Sequence, residues 1–262
     1  MKIAIIGGGN MGGAIARGLC EGSLVKPEDI AVSDPQKSLL EGLRQYNSQL
    51  RLTSNNFEAV EGADVVLLAV KPWLMEFVVT TLKQKLDYSK QIIGSIAATV
   101  TFERLDELLE KEDEIPAVFR IVPNIAISIR KSMTFVAASN ATEEQTGKIL
   151  ALFNELGKTK LIDESHIEGA TALASCGTAF ALRYVRAASE GGVELGFNAT
   201  EAKEIVMQTV KGAVELLEAS GKHPEEMIDQ VTTPGGITIK GLNEMEHAGF
   251  TSAVIRGHKA AK

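Results

Sequence analysis

Three glycines, Gly7, Gly9 and Gly12, restrict this chain more than any other feature of it. They follow a short apolar run, "KIAII", and open a stretch with helical spacing, "NMGGAIARGLCEG". When a strand turns directly into a helix through Gly-x-Gly-x-x-Gly, each glycine has a separate task. The first makes the tight turn, the second lets backbone approach a pyrophosphate, and the third lets the helix lie close against the strand. The helix start also offers unpaired N–H groups and positive partial charge to phosphates. The pattern alone is a weak signal. Its strand–turn–helix context is what makes it a dinucleotide site.

The next 150 residues repeat the alternation. Strand-like runs "IAVSD", "ADVVLLAV", "QIIGSIA", "AVFRIV", "MTFVAAS" and "KTKLIDE" are separated by amphipathic stretches such as "PQKSLLEGLRQY" and "TEEQTGKILALFNELG". Several strands are apolar at nearly every residue, as strands buried on both faces are. This predicts an α/β, doubly wound parallel sheet of the Rossmann type over residues 1–163. The charged run "EKEDE", Glu110 to Glu114, reads as a solvated loop. After residue 163 strand-like runs nearly vanish. Long Ala-rich helical stretches follow, too apolar for one subunit to cover, so residues 164–262 form an all-helical unit expected to pack against another subunit.

Strand ends locate the rest of the nucleotide site. The second strand ends at Asp34, where an acidic residue accepts hydrogen bonds from a ribose 2′-hydroxyl and favours NAD(H) over NADP(H). Asp34 could equally begin a turn or cap the helix after Pro35, so NADP(H) stays open. "ADVVLLAVKP" delivers Ala69, Val70 and Lys71 to the carboxyl edge, where ligands sit in open α/β sheets. By the same argument Asn56, Ala69, Lys71 and Asn124 are candidates to line the ribose and nicotinamide, although residues at such places also simply form loops.

Composition removes other classes. With a net charge of −7 and a pI of about 5.3, the chain lacks the basic face expected of a nucleic-acid or anionic-membrane partner. No window holds 18 uninterrupted apolar residues, and the N-terminal apolar run is too short for a signal-peptide core. Cys20 and Cys176 do not make a disulfide framework, so a cytoplasmic protein is expected. His166, His223, His247 and His258 have no metal-ligand spacing, and no metal is predicted. There is no Gly-x-Ser-x-Gly elbow, and Cys176, without a cationic neighbour until Arg183, reads as a packing residue.

One segment breaks the helical half. "TTPGGITIKG", Thr232 to Gly241, places Pro234, Gly235 and Gly236 between two helical stretches. A helix beginning at Gly235–Gly236 would expose the N–H groups of Gly236, Ile237 and Thr238 to an anion, with the Thr238 hydroxyl beside them. The alternative is a capping turn, with Thr233 as cap and Pro234 at the first helical position.

The segments "GGGNMGGAI", "LAVKP", "SIAATVT", "RIVPN" and "VTTPGGITIKGLNEME" occur in the order seen in the Δ1-pyrroline-5-carboxylate reductases, which the chain resembles over nearly its whole length. The resemblance implies hydride transfer from NADP(H) or NAD(H) to the ring imine of 1-pyrroline-5-carboxylate, giving L-proline. It implies that Gly7, Gly9, Asn10 and Met11 hold the cofactor, that Asn56 meets its ribose, and that Ala69, Val70 and Lys71 lie beside it. Thr233, Gly236, Ile237 and Thr238 would hold the substrate carboxylate, and Thr238 the ring nitrogen. It also implies a homodimer through the C-terminal helices, in some members assembled further. The pattern departs at Ile125–Ala126, where the family has Thr-Pro; at Ala174 to Phe180, where it has Ser-Gly-Ser-Gly-Pro-Ala-Tyr; and at Thr99, where it has Gly. Two rivals remain. A β-hydroxyacid-dehydrogenase-like enzyme would need a lysine early in the interdomain helix, where only Arg183 and Arg186 occur before Lys203. A non-catalytic NAD(P)-binding sensor would keep the fold without the chemistry.

Overall fold

The computed structural model describes residues 1–112 and 114–262, so the charged run from Glu110 to Glu114 falls partly outside the described residues. The chain divides into two compact units, residues 1–175 and 176–262.

In the first unit, β1 (Ile3–Ile6), β2 (Ile30–Ser33), β4 (Val65–Leu68), β5 (Ile92–Ser95) and β6 (Val118–Val122) are buried at every position. Between them run α1 (Asn10–Cys20), α2 (Lys37–Tyr46), β3 (Arg51–Thr53), α3 (Asn56–Val60), α4 (Met75–Leu82) and α5 (Phe102–Leu109). β7 (Ser132–Ser139), α6 (Glu143–Asn154) and β8 (Gly157–Leu161) complete the sheet, whose strand order is β3-β2-β1-β4-β5-β6-β7-β8. Two apolar layers flank it. One joins Ile3, Ile5 and Phe119 of the sheet to Ile15 and Leu19 of α1 and to Phe153 of α6. The other joins Ile6, Val66 and Val118 to Val79, Leu82 and Leu105 on the opposite face.

Two features differ from the sequence reading. β3, only three residues long and partly exposed, is absent from the strands read in the sequence. It carries no buried apolar run, and its pairing with β2 defines it. The sheet is also mixed, because β7 runs antiparallel to β6. A parallel return needs a crossover of a dozen or more residues, and only the short 3₁₀ turn Ile125–Ile129 lies between these strands. β7 and β8, linked through α6, pair in parallel again.

Residues Glu164 to Ser175 belong with the sheet unit. Glu164 pairs with buried Arg120 of β6 at 2.5 Å and accepts the Phe102 N–H at 2.7 Å. The helix from α7 (Ile167–Ala170) continues as one π-helical stretch, Thr171–Cys176. Such a widening frees backbone groups from the regular ladder. The Ala174 carbonyl accepts the Asn124 side-chain amide at 3.4 Å, and the Ser175 hydroxyl donates to the Pro123 carbonyl at 3.2 Å.

The second unit is helical: α8 (Gly177–Glu194), α9 (Ala199–Ser220), α10 (Pro224–Gln230), α11 (Ile237–His247) and α12 (Phe250–Ala260). Asn198 caps α9 through the Glu201 N–H at 2.9 Å. On α9, Ile205 and Leu216 form one exposed apolar stripe, and Met207 and Val214 another on the opposite side. A helix apolar on both sides is one that needs further cover. Among the described residues, no helix is long and apolar enough to cross a membrane.

Candidate active site

The strand order reverses between β1 and β4, which places the carboxyl ends of these strands on either side of a topological switch point. The glycine loop lies there, and its three glycines have the three environments that the spacing requires. Gly7 has φ 109°, and an added Cβ would lie 2.6 Å from the Ala69 carbonyl oxygen. At Gly12 an added Cβ would lie 1.9 Å from the Gly7 carbonyl oxygen and 3.0 Å from the Ala69 Cβ. Both positions are closed by the protein itself. Gly9, the N-cap of α1, has nothing within 4 Å of an added Cβ. No protein atom demands glycine at Gly9, so the demand there is for open space at a helix start.

The amides of Asn10, Met11 and Gly12 form the first turn of α1, where N–H groups have no intrahelical acceptor. Gly9 provides no side-chain cap. Open space in front of free amides and a positive helix end is the chemistry that receives a pyrophosphate. The residues present therefore fit a dinucleotide.

The end of β2 holds the loop. The Gly7 N–H donates to the Ser33 carbonyl at 2.8 Å, and the Gly8 N–H to Asp34 Oδ2 at 2.8 Å. Asp34 is 7% exposed, and its Oδ1 accepts the Gln36 N–H at 2.8 Å. Both carboxylate oxygens serve the backbone, and the turn anticipated for Asp34 is formed. Asn56 opens α3, and its Oδ1 accepts the Ser33 hydroxyl at 2.7 Å. Ala69 and Val70 are half-buried beyond β4, and the Ala69 N–H donates to the Ile6 carbonyl at 2.8 Å. Lys71 is exposed, with its ammonium 6.0 Å from the Trp73 ring centre.

Asn124, the other candidate, lies just past the end of β6. It is buried, its Oδ1 caps the following turn by accepting the Ala126 N–H at 3.0 Å, and its amide nitrogen donates one hydrogen bond to the Ala174 carbonyl at 3.4 Å. Its signal in the sequence, a polar residue after a strand, is the same for a cap as for a ligand contact.

In the helical unit, Thr233 to Gly236 form a reverse turn closed by the Gly236 N–H on the Thr233 carbonyl at 2.9 Å. Pro234 stands second and Gly235 third with φ 73°, the residue pattern of a type II turn. Gly236 is the N-cap, and α11 begins at Ile237. Thr233 is therefore not a helix cap and Pro234 is not a first helical residue. The Gly236 N–H is not free either, because it closes the turn. The amides left open are those of the first turn, Ile237 and Thr238 among them, and Ile237 is 86% exposed. An added Cβ on Gly236 would lie 2.5 Å from the Thr233 hydroxyl oxygen and 3.0 Å from its carbonyl oxygen, so a side chain there would be crowded.

Of the departures from the family pattern, Ile125 is 65% exposed and Thr99 is exposed, while Ala174 and Ser175 lie in the π-helical stretch. Phe180 stacks edge-on against His258 at 4.9 Å. Burial and neighbouring Glu21 push the Cys20 thiol up to about 11, which leaves it unreactive at neutral pH. Among the described residues, no group of three His, Cys, Asp or Glu could hold a metal ion.

The glycine loop at a switch point, with open space before the α1 amides, defines a dinucleotide-binding fold of the Rossmann class. Comparison with known proteins narrows the class. Residues 164–262 match the family described as pyrroline-5-carboxylate reductase dimerisation, and residues 2–99 the family described as NADP oxidoreductase, coenzyme F420-dependent. The chain is 34% identical to the pyrroline-5-carboxylate reductase of Methanosarcina acetivorans, covering 100% of this chain and 97% of that one. It is 38% identical to pyrroline-5-carboxylate reductase 1 of Dictyostelium discoideum, covering 97% of this chain but spanning only about half (47%) of that relative's length. The NADP-bound crystal structure of pyrroline carboxylate reductase from Plasmodium falciparum superposes with a TM-score of 0.88 at 27% identity, covering 100% of this chain and 95% of that one. The chain belongs to the pyrroline-5-carboxylate reductase family.

Proposed function

We propose that the protein reduces 1-pyrroline-5-carboxylate to L-proline with NAD(P)H, the last step of proline biosynthesis. Residues 1–163 hold the dinucleotide, and 164–262 the substrate and the dimer contact. The observation that carries this reading is the segment Thr233–Thr238. Its turn closes on itself and leaves an uncapped helix start bearing Thr238, within the half that matches the reductase dimerisation family.

A nicotinamide cofactor held by residues 1–163 would supply the hydride that the imine carbon accepts. The nitrogen gains its proton from solvent, since a ring imine is already partly protonated near neutral pH. The protein's task is then placement. The amides of Asn10 and Met11 and the open face of Gly9 receive the pyrophosphate. Asn56 contacts a ribose, and Ala69, Val70 and Lys71 line the edge beside it. Asp34 borders the loop. On the substrate side the Ile237 and Thr238 amides bind the carboxylate, Gly236 and Thr233 shape the turn before them, and the Thr238 hydroxyl orients the ring nitrogen. No strong general acid is required, which agrees with a site assigned without His or Glu.

The exposed apolar stripes on both sides of α9 support a homodimer through the helical unit. Two unpaired cysteines and a net charge of −7 fit a cytoplasmic enzyme. NAD(P)H oxidation, followed at 340 nm with pyrroline-5-carboxylate and each cofactor, tests the activity. Turnover is expected with the wild type and a loss of at least 100-fold with Thr238→Ala. A folded dimer that binds NAD(P)H yet oxidises neither cofactor would establish the sensor reading instead.

A further inference from the structure

Ser33 closes β2 and is 1% exposed, a depth at which a hydroxyl must be hydrogen-bonded. Two of its groups act in different directions. Its carbonyl accepts the Gly7 N–H at 2.8 Å, the first amide of the glycine loop, and its hydroxyl donates to Asn56 Oδ1 at 2.7 Å. An asparagine amide has one acceptor and two donors, and its orientation is decided by whichever end is engaged. With Oδ1 taken by Ser33, the Nδ2 hydrogens are the end left to meet a ligand. Without that bond no side chain would hold Asn56 in this rotamer, and its amide could swing away from the glycine loop.

We propose that Ser33 is a positioning residue for the dinucleotide. Its buried hydroxyl anchors the Asn56 side chain beside the glycine loop, in the rotamer whose N–H groups are left for the oxygen-rich ribose and pyrophosphate, while its carbonyl fixes the loop next to it. The proposal rests on the dinucleotide reading of this site and adds a residue that touches no ligand. Ser33 acts through Asn56, so the two side chains must be energetically coupled.

The test is a double-mutant cycle on Kd, measured by NADH and NADPH fluorescence titration of the purified full-length protein without substrate. Ser33→Ala is expected to raise Kd about fivefold in the wild-type background. In the Asn56→Ala background it is expected to change Kd by less than twofold. A rise of the same size in both backgrounds, as general loosening of the fold would produce, overturns the proposal. So does the absence of any rise. Asn56→Asp provides a second arm that does not require Ser33 to be altered. Its carboxylate can still accept from Ser33 but has no N–H, so Kd should rise as much as with Asn56→Ala. Wild-type affinity retained in Asn56→Asp overturns the proposal. A wild-type protein that binds neither dinucleotide would refute the dinucleotide reading itself, a result distinct from every outcome above.

Discussion

A methyl group added to the glycine loop has opposite expected consequences at Gly9 and Gly12. At Gly12 the new Cβ would stand 1.9 Å from the Gly7 carbonyl oxygen, so the α1 backbone or the loop must move by more than 1 Å. Overpacking against backbone costs about 3 kcal/mol, which in a chain of this size lowers Tm by roughly 5–10 °C. At Gly9 an added Cβ would meet no atom within 4 Å, and the negative φ of −66° with extended backbone admits an L-residue. Alanine caps a helix less well than glycine by some tenths of a kcal/mol. The unfolded chain loses freedom worth about as much in the other direction, so Tm should stay within about 2 °C. Binding separates the two variants further. If the pyrophosphate approaches the backbone at Gly9, a methyl there costs at least about 1.4 kcal/mol, a tenfold rise in Kd. The assay pairs calorimetric melting of the apo protein with NADPH fluorescence titration. Gly9→Ala with unchanged Tm and unchanged Kd would refute the placement of the dinucleotide over the α1 amides.

Other perturbations test separate parts of the structure. Asp34→Ala removes the acceptor of the Gly8 N–H and should weaken NADH and NADPH alike, by about tenfold; a clean switch of preference towards NADPH would show that Asp34 acts on the ribose alone. Arg120→Ala leaves Glu164 without its cation and should cost about 2–3 kcal/mol in urea unfolding, just under the roughly 3–5 kcal/mol of a fully buried pair because Glu164 is 37% exposed. Burial first, and then nearby Glu164, raises the Asp106 carboxyl above its ordinary value of 3.8. The folded state therefore holds that proton more tightly than the unfolded chain. Asp106 costs stability as pH rises through its folded value, and the cost is absent below the unfolded one. Asp106→Asn should raise the urea midpoint at pH 7 and leave it unchanged near pH 3; equal shifts at both pH values would contradict this. Val214→Glu on the exposed stripe of α9 should shift the protein from dimer to monomer in sedimentation with little change in helix content.

The legible parts of this protein are those where a residue's reason is local. Gly7 and Gly12 announced a strand–turn–helix because no other residue fits a positive φ or a carbonyl 1.9 Å away. The strands buried on both faces were visible as continuous apolar runs, and the Pro234–Gly235 pair marked a real chain reversal. β3 was hidden because an edge strand of three half-exposed residues has no pattern of its own. The antiparallel β7 was hidden for a related reason, since strand direction depends on the length of the connection that precedes it. Asn124 and Asn56 show the limit within the site. Both follow strands or precede helices and read alike. One turns out to be a buried cap tied to Ala174, and the other is held by Ser33 with its donors open.

Ser33 itself carries no signal in the sequence. It is one polar residue at the end of an apolar run, and its importance exists only because β2 and α3 meet there. The sequence by itself determined the fold class, the glycine loop, the helical second half and the family, because these rest on backbone sterics and on patterns repeated along the chain. Tertiary structure alone decided which amides stay open, which carboxylates and side-chain amides are already engaged, and which way a strand runs. A hydrogen bond between distant residues depends on their separation in space, and no spacing along the chain encodes that distance.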